Sequence, residues 1–314
     1  MSMRAVFFGT PEVAVGYLEA IEDAGHEVAA VVTQPDRPAG RGRKLRLSPV
    51  KEAALRRGVN VLQPESAASA EFVAEIAELA PEVCVVVAYG QILAAPLLAI
   101  PSVAFVNVHY SLLPLFRGAA PVYAALREGH AQTGVTIQHV AEKLDAGDII
   151  LQRALDIRET DDRGTLTERL TELGIELLCE ALDLLARGEA PRTPQDHSRV
   201  TYAPRVQSDD CRIRWSQAAG EITNQVRACT PWPGAWCMLG GKRLKVLAAS
   251  SVQISLSKEG DVGEVVEIRK ERGLVVRAAE GSVLIERVQP AGKRAMSAAD
   301  FLRGARLEVG NHFQ

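Results

Sequence analysis

The chain has 314 residues, of which 47% are hydrophobic and 24% charged, and this composition is ordinary for a soluble globular protein. Its length predicts two domains, and its longest apolar runs, such as residues 83–88, fall far short of the roughly 20 residues of a membrane helix. The five cysteines are scattered and never arranged as CxxC, which argues against a disulfide framework and against a zinc site. Because the N-terminus does not resemble a secretion signal, we expect a cytoplasmic protein. We also expect a monomer with no bound metal and no membrane partner.

The formal net charge of -3 conceals an asymmetry along the chain. Residues 205–314 contain 17 Lys and Arg against 12 Asp and Glu, a net charge of +5, so residues 1–204 carry -8. A basic C-terminal part is compatible with a polyanionic partner, and a random scatter of surface charge explains it equally well. Composition alone leaves both interpretations open.

The first 110 residues alternate apolar β-like runs with amphipathic helical patterns. Strands are predicted at residues 5–8, 28–32, 83–88 and 103–108, and helices at residues 11–24, 49–57 and 70–79. Nearly continuous apolar strands separated by helices are typical of a mostly parallel sheet covered on both faces, the doubly wound, Rossmann-like α/β class. Ligands of such sheets bind outside the carboxyl ends of the strands.

The first predicted strand ends in Gly9, Thr10 and Pro11, which is not the GxGxxG pattern. Pro11 suits the first turn of a following helix, because its missing N–H would have no partner there. Without the three glycines a dinucleotide cannot approach the helix N-terminus in the usual way. The sequence therefore argues against an NAD-dependent dehydrogenase.

Further along, residues 134–140 and 148–155 are rich in β-branched residues and are predicted to complete the sheet as a hairpin-like pair. A long helix with an apolar stripe follows, and the spacing of Thr165 and Glu168 predicts a capping box at its start. Arg187 and Gly188 mark its end.

Three prolines among polar residues mark residues 190–209 as an extended linker. We therefore predict a first domain at residues 1–189 and a second domain at residues 210–314. The second domain has short β patterns at residues 244–249, 263–268, 273–278 and 282–288, separated by Gly-containing turns. This spacing is typical of a small β-barrel.

Asn107 and His109 interrupt an apolar run at the carboxyl end of a predicted strand, and the two-residue period of a strand places them on one side. Each has a plain alternative, His109 as a hydrogen-bonded core residue and Asn107 as a turn former. Asp145 lies in a turn before Gly147, where an aspartate commonly bonds its own backbone. For Asp145 alone, this turn role is the preferred interpretation.

Together, an amide, an imidazole and a carboxylate at strand ends would suit the transfer of a carbonyl group to an amine. Attack of an amine on a formyl carbon creates a negative oxygen and a positive nitrogen, so the site needs oxyanion donors and a route for one proton. Asn107 and a protonated His109 could donate to the oxygen. Asp145 could keep His109 charged and orient a water that relays the proton.

The stretch NVHYSLLP at residues 107–114, followed by RGAAP at 117–121 and GVT at 134–136, resembles the signature of the folate-dependent formyltransferases. DAGD at residues 145–148 corresponds to the aspartate loop of those enzymes. The resemblance implies that Asn107, His109 and Asp145 are the catalytic residues. One departure is Tyr110, where the family pattern usually has a small residue, often glycine.

The rest of the chain is similar to one branch of that family, so the resemblance covers essentially the whole sequence. The matching segments are FxGTP at 7–11, TQPDRPAGRGRK at 33–44, VVVAYG at 85–90, PWP at 231–233, Gly241, KV at 245–246 and QPAGK at 289–293. The resemblance implies formyl transfer from 10-formyltetrahydrofolate to the amino group of methionine on initiator methionyl-tRNA, for translation initiation. It also implies that the second domain is an OB-like β-barrel that helps to hold the tRNA.

By the same resemblance, several segments would contact the two substrates. Those assigned to the folate are Ser111, Leu112, Leu113 and Pro114, with the backbone of Ala88, Tyr89 and Gly90 near the pterin. Those assigned to the tRNA are Arg37, Arg41, Arg43 and Lys44. Their segment, residues 33–48, also carries Arg46 and is opposed only by Asp36, which suits phosphate contacts, although a solvated basic loop is the alternative.

Two rival functions stay open. A sister formyltransferase acting on a small amine, such as glycinamide ribonucleotide or an amino-sugar nucleotide, would share the catalytic residues, and the basic loop and basic second domain favour tRNA over it. A nucleic-acid-binding protein without catalysis is disfavoured, because the three catalytic side chains are intact. Trp232 and Trp236 could stack on a base, and packing in the barrel core is the preferred interpretation. The remaining histidines are interpreted as structural or surface residues: His26, His130, His139, His197 and His312.

Overall fold

A computed structural model describes residues 1–39, 44–254 and 261–314 of the chain, without the side chains of residues 39 and 44. The chain divides into two compact units, each made of separate stretches of sequence. The first comprises Met1–Gly118, Thr133–Leu155 and Glu168–Tyr202, and the second comprises Ala119–Gln132, Asp156–Thr167 and Ala203–Gln314. Residues 190–202 of the predicted linker group with the first unit.

The first unit is built on one mixed sheet. Its strands, in chain order, are β1 (Arg4–Gly9), β2 (Glu27–Val32), β3 (Arg37–Ala39), β4 (Lys44–Arg46), β5 (Val61–Leu62), β6 (Val83–Val87), β7 (Ala104–His109), β8 (Gln132–His139) and β9 (Ile149–Asp156). The main sheet has the order β5-β2-β1-β6-β7-β8-β9, and β3 and β4 form a separate antiparallel hairpin. Neighbours from β5 to β7 run parallel, whereas β8 is antiparallel to β7.

The strand order reverses between β1 and β6. From β1 the chain proceeds outward through β2 and β5, and it then returns to the other side of β1 with β6 and β7. Such a reversal leaves a crevice at the carboxyl ends of the central strands, where ligands of this fold class bind. The predicted doubly wound α/β class is thereby confirmed.

Helices connect or follow these strands along the chain. In chain order they are α1 (Val15–Asp23), α2 (Pro49–Arg57), α3 (Ala70–Glu78), α4 (Ala95–Leu98), α5 (Pro121–Arg127) and α6 (Arg163–Ala186), of which α5 and the first turn of α6 belong to the second unit. Phe8 of β1 packs edge-on against Phe72 of α3, with ring centroids 6.5 Å apart. Tyr17 of α1 approaches α6 so closely that a Cβ on Gly174 would lie 1.9 Å from its hydroxyl. Glycine at 174 therefore permits this helix contact.

The N-terminus of α6 differs from the prediction. The helix begins at Arg163, and the Asp162 carboxylate accepts a hydrogen bond from the Thr165 N–H at 3.0 Å. The Thr165 hydroxyl in turn accepts from the Asp162 N–H at 3.1 Å. The reciprocal cap thus pairs Asp162 with Thr165, and the predicted pairing of Thr165 with Glu168 is wrong because the helix starts one turn earlier.

The second unit combines α5 with an antiparallel sheet. Its other helices are α7 (Ala219–Cys229) and α8 (Ala298–Gly304), and its strands are β10 (Ala235–Leu239), β11 (Lys242–Val252), β12 (Val265–Arg269), β13 (Gly273–Arg277), β14 (Ser282–Pro290) and β15 (Met296–Ser297). The sheet order is β10-β11-β14-β13-β12, with β15 on β14. Ile222 and Val226 of α7 are buried in its core with Val246 and Ile285. The prediction of a β domain in the C-terminal part of the chain is confirmed, and its sheet is antiparallel.

Residues 311–314 join the two outer strands of this sheet. Phe313 donates its N–H to the carbonyl oxygen of Gly263, just before β12, at 2.8 Å. Gln314 donates to the carbonyl oxygen of Met238 in β10 at 2.9 Å. Because β10 and β12 lie at opposite ends of the strand order, this segment closes the sheet into a barrel.

Candidate active site

Asn107 and His109 lie at the carboxyl end of β7, as predicted. In the antiparallel pairing of β7 with β8, Asn107 is opposite Gln138 and His109 is opposite Thr136. Opposed residues share a face of the sheet, so these four polar side chains form one cluster at this end. His109 is 6% exposed and Gln138 is 2% exposed, whereas Asn107 is only partly buried. Within the described residues the Asn107 amide makes no hydrogen bond, which leaves its NH₂ group available to a ligand.

Both ring nitrogens of His109 face defined groups. Nε2 donates to the carbonyl oxygen of Phe116 at 2.9 Å, because a carbonyl can only accept. Nδ1 lies 3.7 Å from Oδ2 of Asp145, a distance within ion-pair range but longer than a hydrogen bond. The Nδ1 edge of the ring is therefore the one that could exchange a proton or donate to a substrate oxygen.

Asp145 is held by distant parts of the chain. Its Oδ2 accepts from the Gly118 N–H at 2.8 Å, and its Oδ1 accepts from Gln138 Nε2 at 3.2 Å. The residue has φ +49°, in the left-handed region, which costs free energy for a non-glycine residue. Neither carboxylate contact is to its own turn, so the interpretation of Asp145 as a self-bonded turn residue is wrong. The structure brings Asp145 to His109.

Gly147 explains how this turn fits against β8. A Cβ on Gly147 would lie 1.7 Å from the carbonyl oxygen of His139, a backbone atom that cannot move aside. Only glycine allows the turn to approach the strand this closely. In the DAGD pattern, Gly147 thus allows the turn that carries the Asp145 carboxylate to lie against β8.

The predicted folate segment that follows β7 is fastened by hydrogen bonds. Ser111 is buried, its hydroxyl donates to Leu115 O at 2.6 Å, and its carbonyl oxygen accepts from the Thr136 hydroxyl at 2.6 Å. Leu113 is buried as well, whereas Leu112 and Pro114 are partly exposed. Ser111 and Leu113 therefore shape the segment, and Leu112 and Pro114 are the members that a ligand could touch.

The second predicted folate segment lies at the carboxyl end of β6, beside the crevice. Ala88 and Gly90 are exposed, and both have positive φ, +50° and +90°. The Tyr89 side chain is buried against Phe8, and its carbonyl oxygen accepts from the Thr10 hydroxyl at 3.0 Å. Of this segment, the backbone of Ala88 and Gly90 is what faces solvent.

Tyr110, the departure from the family pattern, points away from His109. Its hydroxyl makes hydrogen bonds with the hydroxyls of Tyr17 in α1, at 3.0 Å, and of Thr171 in α6, at 2.8 Å. Neighbouring residues of an extended chain face opposite sides, so the bulk of this ring does not enter the His109 cluster.

The basic segment is only partly described. Arg37 is exposed on β3, Arg41 and Arg43 lie outside the described residues, and nothing is described of the Lys44 side chain. Asp36, the acidic residue of this segment, pairs with Lys51 at 2.6 Å and accepts from Gln63 at 2.9 Å. The hydrogen bond from Lys51, with that from Gln63, lowers the pKa of the Asp36 carboxyl.

Sequence reasoning missed Gln138 and Gln195. Gln138 interrupts an apolar strand at its carboxyl end, the same signal that identified Asn107. Gln195 gives no comparable signal, because it stands among prolines and polar residues that suggest an exposed linker, yet it is only 5% exposed. It contacts Arg117, Gln138 and the Asp145 turn.

The tryptophans correct a second expectation. Trp232 is 70% exposed, so its predicted packing in the barrel core is wrong. Trp236 packs partly against the core, and the Arg243 guanidinium stacks over its ring at 4.0 Å. Both indoles thus lie beside cations, since Arg163 lies 5.9 Å from the Trp232 ring.

Among the described residues, no three His, Cys, Asp or Glu side chains are grouped so as to hold a metal ion. In the same part of the chain, no helix combines the length and apolar character that crossing a membrane requires. The cysteines all lie in the described part, and each is a free thiol.

Two family models match the chain in succession. Residues 3–182 match the formyl transferase family, and residues 205–306 match the formyl transferase C-terminal domain. The first match alone covers more than half of the sequence. The chain belongs to the formyl transferase family. This formyltransferase is 47% identical to the methionyl-tRNA formyltransferase of Moorella thermoacetica, over 98% of this chain and 98% of the relative.

Solved structures share the fold of this formyltransferase. HypX from Aquifex aeolicus in complex with tetrahydrofolic acid matches with a TM-score of 0.66 at 19% identity, over 100% of this chain and 51% of that chain. Glycinamide ribonucleotide transformylase 1 from Symbiobacterium toebii matches with a TM-score of 0.51 at 25% identity, over 62% of this chain and 93% of that chain. The second match leaves more than a third of this formyltransferase without a counterpart.

Proposed function

We propose that this formyltransferase transfers the formyl group of 10-formyltetrahydrofolate to the amino group of methionine on initiator methionyl-tRNA. The observation that carries the proposal is the approach of Asp145 to His109 at 3.7 Å, at the strand end that also presents Asn107. This cluster lies in a chain that is similar over nearly its full length to a methionyl-tRNA formyltransferase.

The chemistry needs little beyond these three side chains. The amine nitrogen forms a bond to the formyl carbon, the bond from that carbon to the donor nitrogen breaks, and one proton passes from the attacking to the leaving nitrogen. Negative charge develops on the formyl oxygen, and donors already in place stabilise it without reorganisation. The free Asn107 NH₂ group and the Nδ1 edge of His109 are the donors that this site offers.

Asp145 is assigned the proton. Oδ1 and Oδ2 each accept one hydrogen bond, from Gln138 and Gly118, and a carboxylate has further lone pairs for a water or an amine. Its Oδ2 also lies 3.7 Å from Nδ1 of His109. We assign Asp145 to receive the proton from the attacking amine, directly or through one water.

The folate is assigned to the crevice beside β6. Supporting observations are the exposed backbone at Ala88 and Gly90 and the partly exposed Leu112 and Pro114, all at strand ends of the first unit. Tyr89 and Leu113 are buried, so their proposed contribution is backbone, as is that of Ser111. The co-substrate supplies the formyl group, and no metal is invoked.

The tRNA is assigned to basic surfaces of the chain. Arg37 is exposed, and Asp36 pairs with Lys51. We assign Arg37, Arg41, Arg43 and Lys44 to phosphate contacts, because their segment is rich in cations. The second unit adds the exposed Trp232 and the stacked pair of Arg243 and Trp236. Aromatic rings beside arginines suit stacking on unpaired bases. We further propose that the protein acts in the cytoplasm as a monomer.

The test offers the purified protein radiolabelled 10-formyltetrahydrofolate together with methionine-charged initiator tRNA and glycinamide ribonucleotide. We expect the label on the methionine of the tRNA and none on the ribonucleotide. Label on the small amine alone would replace the proposal with the sister activity. Label on neither acceptor, with binding of tRNA retained, would indicate a nucleic-acid-binding protein without catalysis.

A further inference from the structure

The Gln195 side chain bridges the two loops that hold the catalytic pair. Its Nε2 donates to the carbonyl oxygens of Asp145 at 2.9 Å and of Gly147 at 2.7 Å. Its Oε1 accepts from Arg117, at 2.6 Å from Nη2 and 3.2 Å from Nε. One amide thus ties the Asp145 turn to the loop of residues 116–118.

The second loop matters because each of its outer residues contacts the pair. Phe116 offers the carbonyl oxygen that receives His109 Nε2, and Gly118 offers the N–H that binds Asp145 Oδ2. A shift of either loop would change the 3.7 Å separation between Asp145 and His109. Gln195 contacts both loops and neither of the reacting side-chain groups.

The surroundings allow only one orientation of the Gln195 amide. Reversed, its oxygen would face two carbonyl oxygens and its NH₂ group would face the Arg117 guanidinium, which only donates. The side chain is 5% exposed, so water cannot compensate for a mismatch. Gln195 also reaches Gln138 Oε1 at 3.2 Å, and Gln138 itself donates to Asp145 Oδ1. The amide therefore holds both the backbone and the carboxylate of Asp145.

We propose that Gln195 is a positioning residue for formyl transfer, which holds Asp145 in its left-handed conformation and sets its distance to His109. The proposal rests on the proposed function of these two residues. A non-glycine residue at φ +49° persists only where its surroundings enforce that conformation. The two shorter hydrogen bonds from Gln195 Nε2, to the carbonyl oxygens of Asp145 and Gly147, provide that enforcement.

The test substitution is Gln195→Glu, which keeps the shape and the acceptor for Arg117 but replaces the donor to Asp145 with a carboxylate oxygen. We expect kcat to fall about 10- to 100-fold, with KM for both substrates within about twofold of the parent, because displaced catalytic groups weaken the transition state and leave ground-state binding intact. The matched control is Gln225→Glu. Gln225 is 2% exposed and its Nε2 also donates to two carbonyl oxygens, at 2.7 and 2.9 Å, in the second unit. The kcat of Gln225→Glu should stay within about twofold of the parent, even if its melting temperature falls as much as that of Gln195→Glu.

A double variant separates positioning from general damage. If Gln195 acts through Asp145, then Gln195→Glu should lower kcat little further once Asp145→Asn is present. Losses that multiply would overturn the proposal, as would an unchanged kcat in Gln195→Glu.

Hydrogen exchange gives a readout that does not depend on activity. In Gln195→Glu the amides of residues 116–118 and 145–148 should exchange faster, with the rest of the described chain unchanged. Unchanged exchange in both loops would overturn the proposal. If the parent protein transfers no formyl group, the proposed function fails, while faster exchange in these loops would still assign Gln195 to holding them.

Discussion

His109 is oriented by hydrogen bonding at one nitrogen and by charge at the other. Nε2 donates to the carbonyl oxygen of Phe116, and Nδ1 faces Asp145. The adjacent Tyr110 is bonded to Tyr17 and Thr171 on the other side of the strand. Two consecutive residues therefore have separate surroundings, the proposed catalytic cluster for His109 and the contact between α1 and α6 for Tyr110.

Substitution of each residue in turn tests this division. His109→Ala should lower kcat by about 100-fold or more, because a donor to the developing oxyanion is removed. Tyr110→Phe should leave kcat within about twofold and lower the free energy of unfolding by about 1 kcal/mol for the lost hydrogen bonds. Steady-state kinetics and urea unfolding of the two variants give both quantities. An active His109→Ala enzyme would remove this residue from the mechanism.

His26 makes folding sensitive to mild acid. Its Nδ1 accepts from the Met3 N–H at 3.1 Å, which requires an unprotonated nitrogen, and burial lowers the pKa of the ring. Since the folded pKa lies below the unfolded one, the contribution of the neutral ring is present above the unfolded value of about 6.5 and is lost as pH falls through the folded pKa.

The corresponding variant is His26→Gln. Between about pH 7.5 and about pH 5.5 the parent protein should lose more free energy of unfolding than the variant, because residue 26 of the unfolded parent binds a proton that the buried imidazole of the folded parent resists. Urea unfolding at both pH values measures the difference, and comparing two pH values cancels any constant cost of the substitution. Equal losses in both proteins would show that His26 does not contribute.

Sequence patterns predicted those features of the strands and helices that depend on neighbouring residues. The two-residue period placed Asn107 and His109 on one face, and the doubly wound order brought their strand end to the crevice. Asp145 needed the family resemblance, because its distance to His109 follows from β7–β8 pairing and the Gly147 turn. Gln195 could not be predicted, because its burial comes from a chain path far from its sequence neighbours. Trp232 was misjudged, since an apolar ring alone does not reveal exposure.

The contact between α1 and α6 depends on Gly174. In a helix interior, Gly→Ala usually stabilises by roughly 1 kcal/mol. At Gly174 the new Cβ would lie 1.9 Å from the Tyr17 hydroxyl, so Gly174→Ala should instead destabilise by about 1–3 kcal/mol. Gly220→Ala in α7 is the control, because its added Cβ would meet no atom within 4 Å in the described part of the chain, its own helix backbone and chain neighbours aside. Thermal unfolding should move the two variants in opposite directions, and a stabilised Gly174→Ala would show that the helices can separate without cost.

For the molecule as a whole, charge is distributed unevenly. Residues 205–314 carry +5 on a chain of net -3, and the acidic remainder contains the basic segment of residues 33–48. A polyanion would therefore be attracted to these basic segments, although the net charge of the protein repels it. Such binding weakens as the salt concentration rises, because the release of counterions from the polyanion then contributes less free energy.

Charge reversal at Arg41 and Arg43 tests the basic segment. Arg41→Glu with Arg43→Glu should raise the KM for tRNA and flatten its dependence on salt, while the KM for the folate stays within about twofold. The control reverses exposed Arg56 and Arg187, which changes the net charge equally. The KM for tRNA is measured for both double variants at several salt concentrations. Indistinguishable salt dependence would reject a phosphate-binding role for the segment.

The barrel of the second unit has a consequence for solubility. A β-sheet with free edges offers unpaired N–H and C=O groups to other chains, and such edges template aggregation. Here residues 311–314 form backbone hydrogen bonds both with β10 and with the segment before β12. Release of these four residues would expose the backbone N–H and C=O groups of two sheet edges at once. Protection from strand addition by other molecules therefore depends on one very short stretch of backbone.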